Sequence, residues 1–175
     1  MASNDLRVVA VNGSPSHPSR SRLLAELALE RAGGGELIDL ASLDPGALLA
    51  LRTDREVDAT RDLVAAAQIL IVATPIYRAT YTALLKTIFD LLPRSALAGT
   101  VVVPIATGYS AEHRLAIDHG LRPLVASLDG WTTPTSVYAT KADIDDDGIL
   151  APALRGALEE AVSQALTAAQ AIRNS

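Results

Sequence analysis

The chain has 175 residues and no cysteine. That excludes a disulfide framework, a thiolate nucleophile and any cysteine-ligated zinc or iron–sulfur centre. Aromatic residues make up only 3% of the total, so Ala, Leu, Val and Ile must pack the core, which suits helices layered on a sheet. Basic charge is also short: 15 Lys and Arg stand against 20 Asp and Glu, for a formal net charge of −5. No window interleaves cations with stacking aromatics, so a nucleic-acid partner is not expected. Apolar runs are brief, and none approaches the roughly 20 residues of a membrane-spanning helix. The opening "MASNDLRVVAVNG" carries an acid and too short an apolar run for a signal peptide. The expectation is a cytoplasmic protein with no membrane association, folded as one domain over 1–175.

What is present is an alternation of two periods. Apolar runs at 7–12, at "ELIDL", at 69–74 and at 100–107, with a fifth around 136–139, predict strands. Between them, helical spacing predicts helices over 21–32, 57–67, 82–92 and 111–128, and an alanine-rich one over 152–173. Asp44 followed by Pro45 reads as a cap and first helical residue, and Gly33 to Gly35 as a stop. "ILIVAT" is almost wholly aliphatic, the mark of a central parallel strand covered on both faces. Strands alternating with helices predict a doubly wound five-stranded parallel α/β sheet with helices on both faces, with ligands at the carboxyl ends of the strands.

Three strand ends have loops of unusual composition. "NGSPSHPSRS" offers hydroxyls, a helix N-terminus and a guanidinium, which suit a phosphate, and Gly13 is expected to let the backbone turn close to a ligand. It matches neither G-x-G-x-x-G nor G-x-x-x-x-G-K-[ST], which disfavours a Rossmann dinucleotide site and a P-loop NTPase. "TPIYRATY" sets proline, isoleucine and tyrosine after a buried strand, as a ledge for a flat heteroaromatic ring or as ordinary packing. "ATGYS" brings glycine and small residues to the next strand end, where a ring edge can approach the backbone.

These stretches resemble the NAD(P)H-dependent FMN reductases of flavodoxin-like fold, in particular the branch that supplies reduced flavin to two-component sulfonate monooxygenases. The likeness rests on "GSPSHPSRS", "VATPIYRATYTALLKTIFDLLP" and "ATGYSAEHRLAIDHGLRPLVASL", in that order, and covers roughly residues 8–128. The resemblance implies FMN and NADPH (or NADH) as cofactors, with hydride passing between them and no catalytic side chain. It implies that Ser14, Ser19, Arg20 and Ser21 hold the FMN phosphate, that Pro75, Ile76, Tyr77 and Arg78 flank the isoalloxazine, and that Thr107 and Gly108 line its other side. It further implies a homodimer or homotetramer with the flavin near a subunit interface. The FMNH2 formed would leave for a partner monooxygenase, or would stay bound and reduce a quinone or azo compound. A flavodoxin-like electron carrier is disfavoured, because the T-x-T-G-x-T loop of such carriers is replaced by "GSPSHPSRS". A flavin-free binding protein on the same fold is a further alternative.

Two departures from the family pattern stand out. Tyr109 follows Gly108 where many members have a second glycine, which would narrow the nicotinamide side or add a stacking surface. His119 falls in a helix that, by the resemblance, carries an inserted residue, a π-type bulge, with tyrosine or histidine at the bulge. An insertion re-aims a side chain, so His119 is a candidate control of flavin exchange, set against an ordinary structural histidine.

The other constellations read blandly. "DIDDDG" opens like a calcium loop but has Leu154 at position twelve and Pro152 at position ten, so a solvated acidic turn is expected and no metal site. Lys86 and Asp90 are spaced for a helical ion pair, and His113 for capping or packing. No Ser/His/Asp triad is defensible without a G-x-S-x-G elbow.

Overall fold

The structure is a computed structural model and describes residues 6–174. The first part of the stretch read against a signal peptide therefore lies outside the described residues. Among those described, no helix is long and apolar enough to cross a membrane.

The aliphatic runs form the strands. β1 (Val8–Asn12), β3 (Ile69–Pro75) and β4 (Val101–Thr107) are buried almost end to end, as expected of strands covered on both faces. β2 (Glu36–Asp39) flanks β1, and the strand order β2-β1-β3-β4-β5 is parallel throughout. The fifth position is not one strand. β5 (Trp131–Thr132) pairs with the start of β4 and β6 (Val137–Ala139) with its end, and two prolines, which have no amide to donate, lie at the gap, Pro134 between β5 and β6 and Pro104 on β4.

Side-chain alternation splits the core in two. Val9, Val11, Leu70 and Val72 face α3 (Arg55–Ala65), α4 (Ala83–Leu91) and α5 (Arg122–Ala126). Val8, Ala10, Ile69 and Ile71 face α1 (Arg20–Arg31) and α6 (Pro152–Arg173). Side-chain oxygens start the helices: Ser19 accepts the Arg22 amide, Asp44 the Ala47 amide ahead of α2 (Pro45–Leu48), Asp54 those of Glu56 and Val57, and Thr82 that of Leu85.

The predicted helix over 111–128 is broken. A 3-10 turn at Ala111–Arg114 is followed by a π turn at Ile117–Leu121 and then by the short α5. Pro123, which has no amide to donate, sits where the π turn passes into α5, and the Arg122 amide before it reaches back five residues to the Ile117 carbonyl. Lys86 and Asp90 form the expected exposed ion pair on α4.

Candidate functional site

Winding reverses between β1 and β3, and the loops leaving the carboxyl ends of β1, β3, β4 and β6 converge there on a cleft of about 660 Å3. Its size is that of an ordinary cofactor site.

The first wall is the β1–α1 loop. Asn12, fully buried at the end of an apolar strand, organises it: its side-chain oxygen accepts the Ser21 hydroxyl at 2.9 Å and the Ser14 amide at 3.3 Å, while its amide reaches Asp39 at 3.4 Å. The Ser14 hydroxyl accepts the Ser16 amide at 3.2 Å, and the hydroxyls of Ser19 and Ser21 lie 2.9 Å apart. The amides of Arg20 and Ser21, in the first turn of α1, have no intrahelical acceptor. Arg22 is committed elsewhere: Asp39 at 2.8 Å, with Glu26 assisting, holds its guanidinium above the ordinary value. Arg20 forms no ion pair with any described residue. Gly13 is not among the residues lining the cleft, and its small size has a packing reason. A Cβ there would lie 2.7 Å from Leu85 Cβ, so the residue is small because the first turn of α4 packs onto it, and the Thr82 hydroxyl donates to the Gly13 carbonyl at 2.6 Å.

The second and third walls continue the sheet. The Ile76 amide donates to the Thr107 carbonyl at 2.7 Å and the Gly108 amide to the Ala139 carbonyl at 2.9 Å, which fixes Pro75, Ile76, Thr107 and Gly108 side by side. Tyr77 and Thr80 close a two-residue hairpin with Arg78 and Ala79 at φ 52 and 67. This conformation is uncommon for residues with a Cβ. Tyr77, 47% exposed, turns to the cleft with its hydroxyl 3.5 Å from that of Ser16, whereas Tyr81 packs against the core. Tyr109 stands 93% exposed at the rim. Gly108 is a close-approach glycine: a Cβ would sit 2.1 Å from the Tyr138 hydroxyl, which passes beneath to donate to the Ser110 carbonyl. Burial, with Glu112 and Asp143 nearby, pushes the Tyr138 phenol above its ordinary value and keeps it a donor.

The fourth wall, Thr140, Lys141 and Ala142, follows β6. The Thr140 hydroxyl and amide both donate to Asp143 at 2.7 Å, which holds that carboxyl below its ordinary range and stiffens the turn. In the acidic stretch beyond, Asp145 accepts the amides of Asp147 at 3.1 Å and Ile149 at 2.7 Å.

The structure thus brings Ser14, Ser19, Arg20, Ser21, Pro75, Ile76, Tyr77, Thr107, Gly108 and Tyr109 to one cleft. Arg78 is not among its lining residues and stands at the tip of the hairpin. His119 is exposed on the π turn, whose Gly120 packs tightly against Thr80 and Tyr81. His113 is half-buried, and its Nδ1 is enclosed without a hydrogen-bond partner. Sequence reasoning missed Asn12, Ser16, Pro18, Thr140, Lys141 and Ala142. The first had a signal, a lone polar residue ending an apolar strand, and the last three follow the fifth predicted strand, one of two whose carboxyl ends the sequence reading leaves unassigned.

The sequence matches the family described as NADPH-dependent FMN reductase over residues 6–144. The chain belongs to this family. It is an NAD(P)H:FMN oxidoreductase of flavodoxin-like fold, with FMN and a nicotinamide nucleotide as cofactors. It is 37% identical to a protein of Pseudomonas fluorescens named NADH-dependent FMN reductase SfnF, over 93% of this chain and 91% of that protein. It is 39% identical to the FMN reductase (NADPH) of Escherichia coli K12, over 81% and 76%. A solved structure of NADH:FMN oxidoreductase (EMOB) in its apo form superposes with a TM-score of 0.86 at 36% identity, covering 93% of this chain and 89% of that one.

The cleft fits FMN on its own chemistry. One wall offers hydroxyls, free helix amides and an unpaired guanidinium to a phosphate, and another offers Pro75, Ile76 and Tyr77 to a flat ring.

Proposed function

We propose that this reductase makes diffusible FMNH2 for a separate monooxygenase, with the cleft at the β1/β3 switch as the flavin site. One observation carries the reading: a hydroxyl-rich wall with an unpaired cation meets an apolar ledge, and the cleft edge between them bears exposed tyrosines. When both nucleotides are bound, the nicotinamide supplies the hydride and the flavin accepts it. The chain's residues bind and orient. Ser14, Ser19, Ser21 and Arg20 hold the flavin phosphate. Pro75, Ile76 and Tyr77 support one part of the ring, and Thr107 and Gly108 bring backbone to another. Tyr109 borders the side left for the nicotinamide. Holding the two reacting atoms in contact accounts for most of the rate, because no side chain has to move a proton.

Release of reduced flavin is favoured by the exposure of Tyr77 and Tyr109, neither of which folds over the cleft as a buried lid. The test is anaerobic: purified protein with FMN should oxidise NADPH or NADH and bleach the visible absorption band of the oxidised flavin. In a separate aerobic arm, a monooxygenase supplied with its substrate and O2 but held apart from the reductase by a dialysis membrane should still turn over. Failure to consume either nicotinamide sinks the reductase reading, and turnover only on direct mixing sinks diffusible supply.

A further inference from the structure

The residues lining the flavin cleft include two cations, Arg20 and Lys141, and no carboxylate, in a chain whose formal net charge is −5. Neither cation forms an ion pair among the described residues. Of the acids close to Lys141 in sequence, Asp143 is bonded by Thr140 and Asp145 by the amides of Asp147 and Ile149, while Asp146 and Asp147 are exposed, and none of the four pairs with Lys141. Lys141 and Arg20 also border a neighbouring cleft, where Glu26 is bonded to Arg22 and Asp146 is exposed. Lys141 is the first residue of a 3-10 turn that begins and ends on the Thr140–Asp143 hydrogen bonds, so its backbone is fixed while its side chain stays free. Two unneutralised cations on one cleft leave a positive potential that a doubly charged anion relieves.

We propose that Lys141 is a second cation for a phosphomonoester dianion in this cleft, opposite the serine loop and in concert with Arg20. The inference rests on the flavin-site reading and deepens it. A phosphomonoester distinguishes FMN from riboflavin, and it also distinguishes NADPH, through its 2′-phosphate, from NADH. The chemistry is shared and the source is separable.

The test is Lys141→Gln beside Lys141→Arg, with each ligand of both pairs titrated against wild type. In Lys141→Gln the Kd for FMN should rise about 5- to 20-fold while that for riboflavin moves less than about twofold, and Lys141→Arg should restore FMN affinity. A rise in KM for NADPH alone, with FMN and NADH unchanged, also supports the proposal and assigns the dianion to the nicotinamide nucleotide. Equal changes within both pairs, or none in either, overturn it while leaving the reductase reading intact. A wild-type chain that binds no FMN overturns both.

Discussion

Gly108 ties the residue scale to the site. The Tyr138 phenol occupies the space where a side chain on Gly108 would begin, at 2.1 Å from its hydroxyl and 3.0 Å from Cζ. Gly108→Ala must therefore displace the phenol and break its bond to Ser110, at a cost of about 1–3 kcal/mol. Urea denaturation should show that loss. Tyr138→Phe in the same chain should recover part of it, since the atom in closest conflict is gone, so the two substitutions should be non-additive. Wild-type stability for Gly108→Ala alone would mean that the strand-end loop is not held from below by Tyr138. The glycine was visible in the sequence, but its partner was not: Tyr138 is 30 positions away, and only the pairing of β6 with β4 brings it beneath. The partners of Asn12 hid for a similar reason, because its hydrogen bonds run across the loop to Ser14 and Ser21 and over to Asp39 on β2.

Elements with one strong period were legible, and elements under competing demands were not. β3 and β4 are mostly aliphatic, β4 with Pro104 at its middle, and fall within a residue or two of the expected bounds. The segment after β4 has good helical spacing from 111 to 128, yet it must seat Gly120 against Thr80 and Tyr81 and also start a helix at Pro123, and a π turn satisfies both. The inserted residue expected at His119 thus has a physical counterpart: the wider turn presses on the hairpin that carries Tyr77 to the cleft. His119 itself is exposed, so substitution there tests the turn without emptying the core. His119→Tyr adds aromatic surface beside that hairpin, and FMN release should slow by about 2- to 10-fold as read by fluorescence recovery on dilution. Unchanged release would make the π turn a packing solution with no hold on flavin exchange.

At the scale of the whole molecule, the sheet interior contributes nothing chemical. β1, β3 and β4 are packed on both faces, and every residue lining the cleft lies at or beyond the carboxyl end of a strand or in the first turn of the helix that follows. Four loops far apart in sequence must be held together for the cleft to exist, so the site and the global fold form together. A ligand that needs all four then stabilises the native state as a whole, by RT ln(1 + [L]/Kd), about 2.7 kcal/mol at a concentration 100 times Kd. For a domain of this size that corresponds to a rise in Tm of about 5–10 °C. FMN should produce that rise in a thermal melt followed by far-ultraviolet circular dichroism. Riboflavin at the same concentration should produce a smaller one, because it engages the ring-binding walls and leaves Arg20 and the free amides of α1 unneutralised. Equal shifts for the two flavins would mean that the serine loop contributes nothing to binding. No shift with FMN at saturating concentration would mean that the folded chain does not hold flavin between these loops.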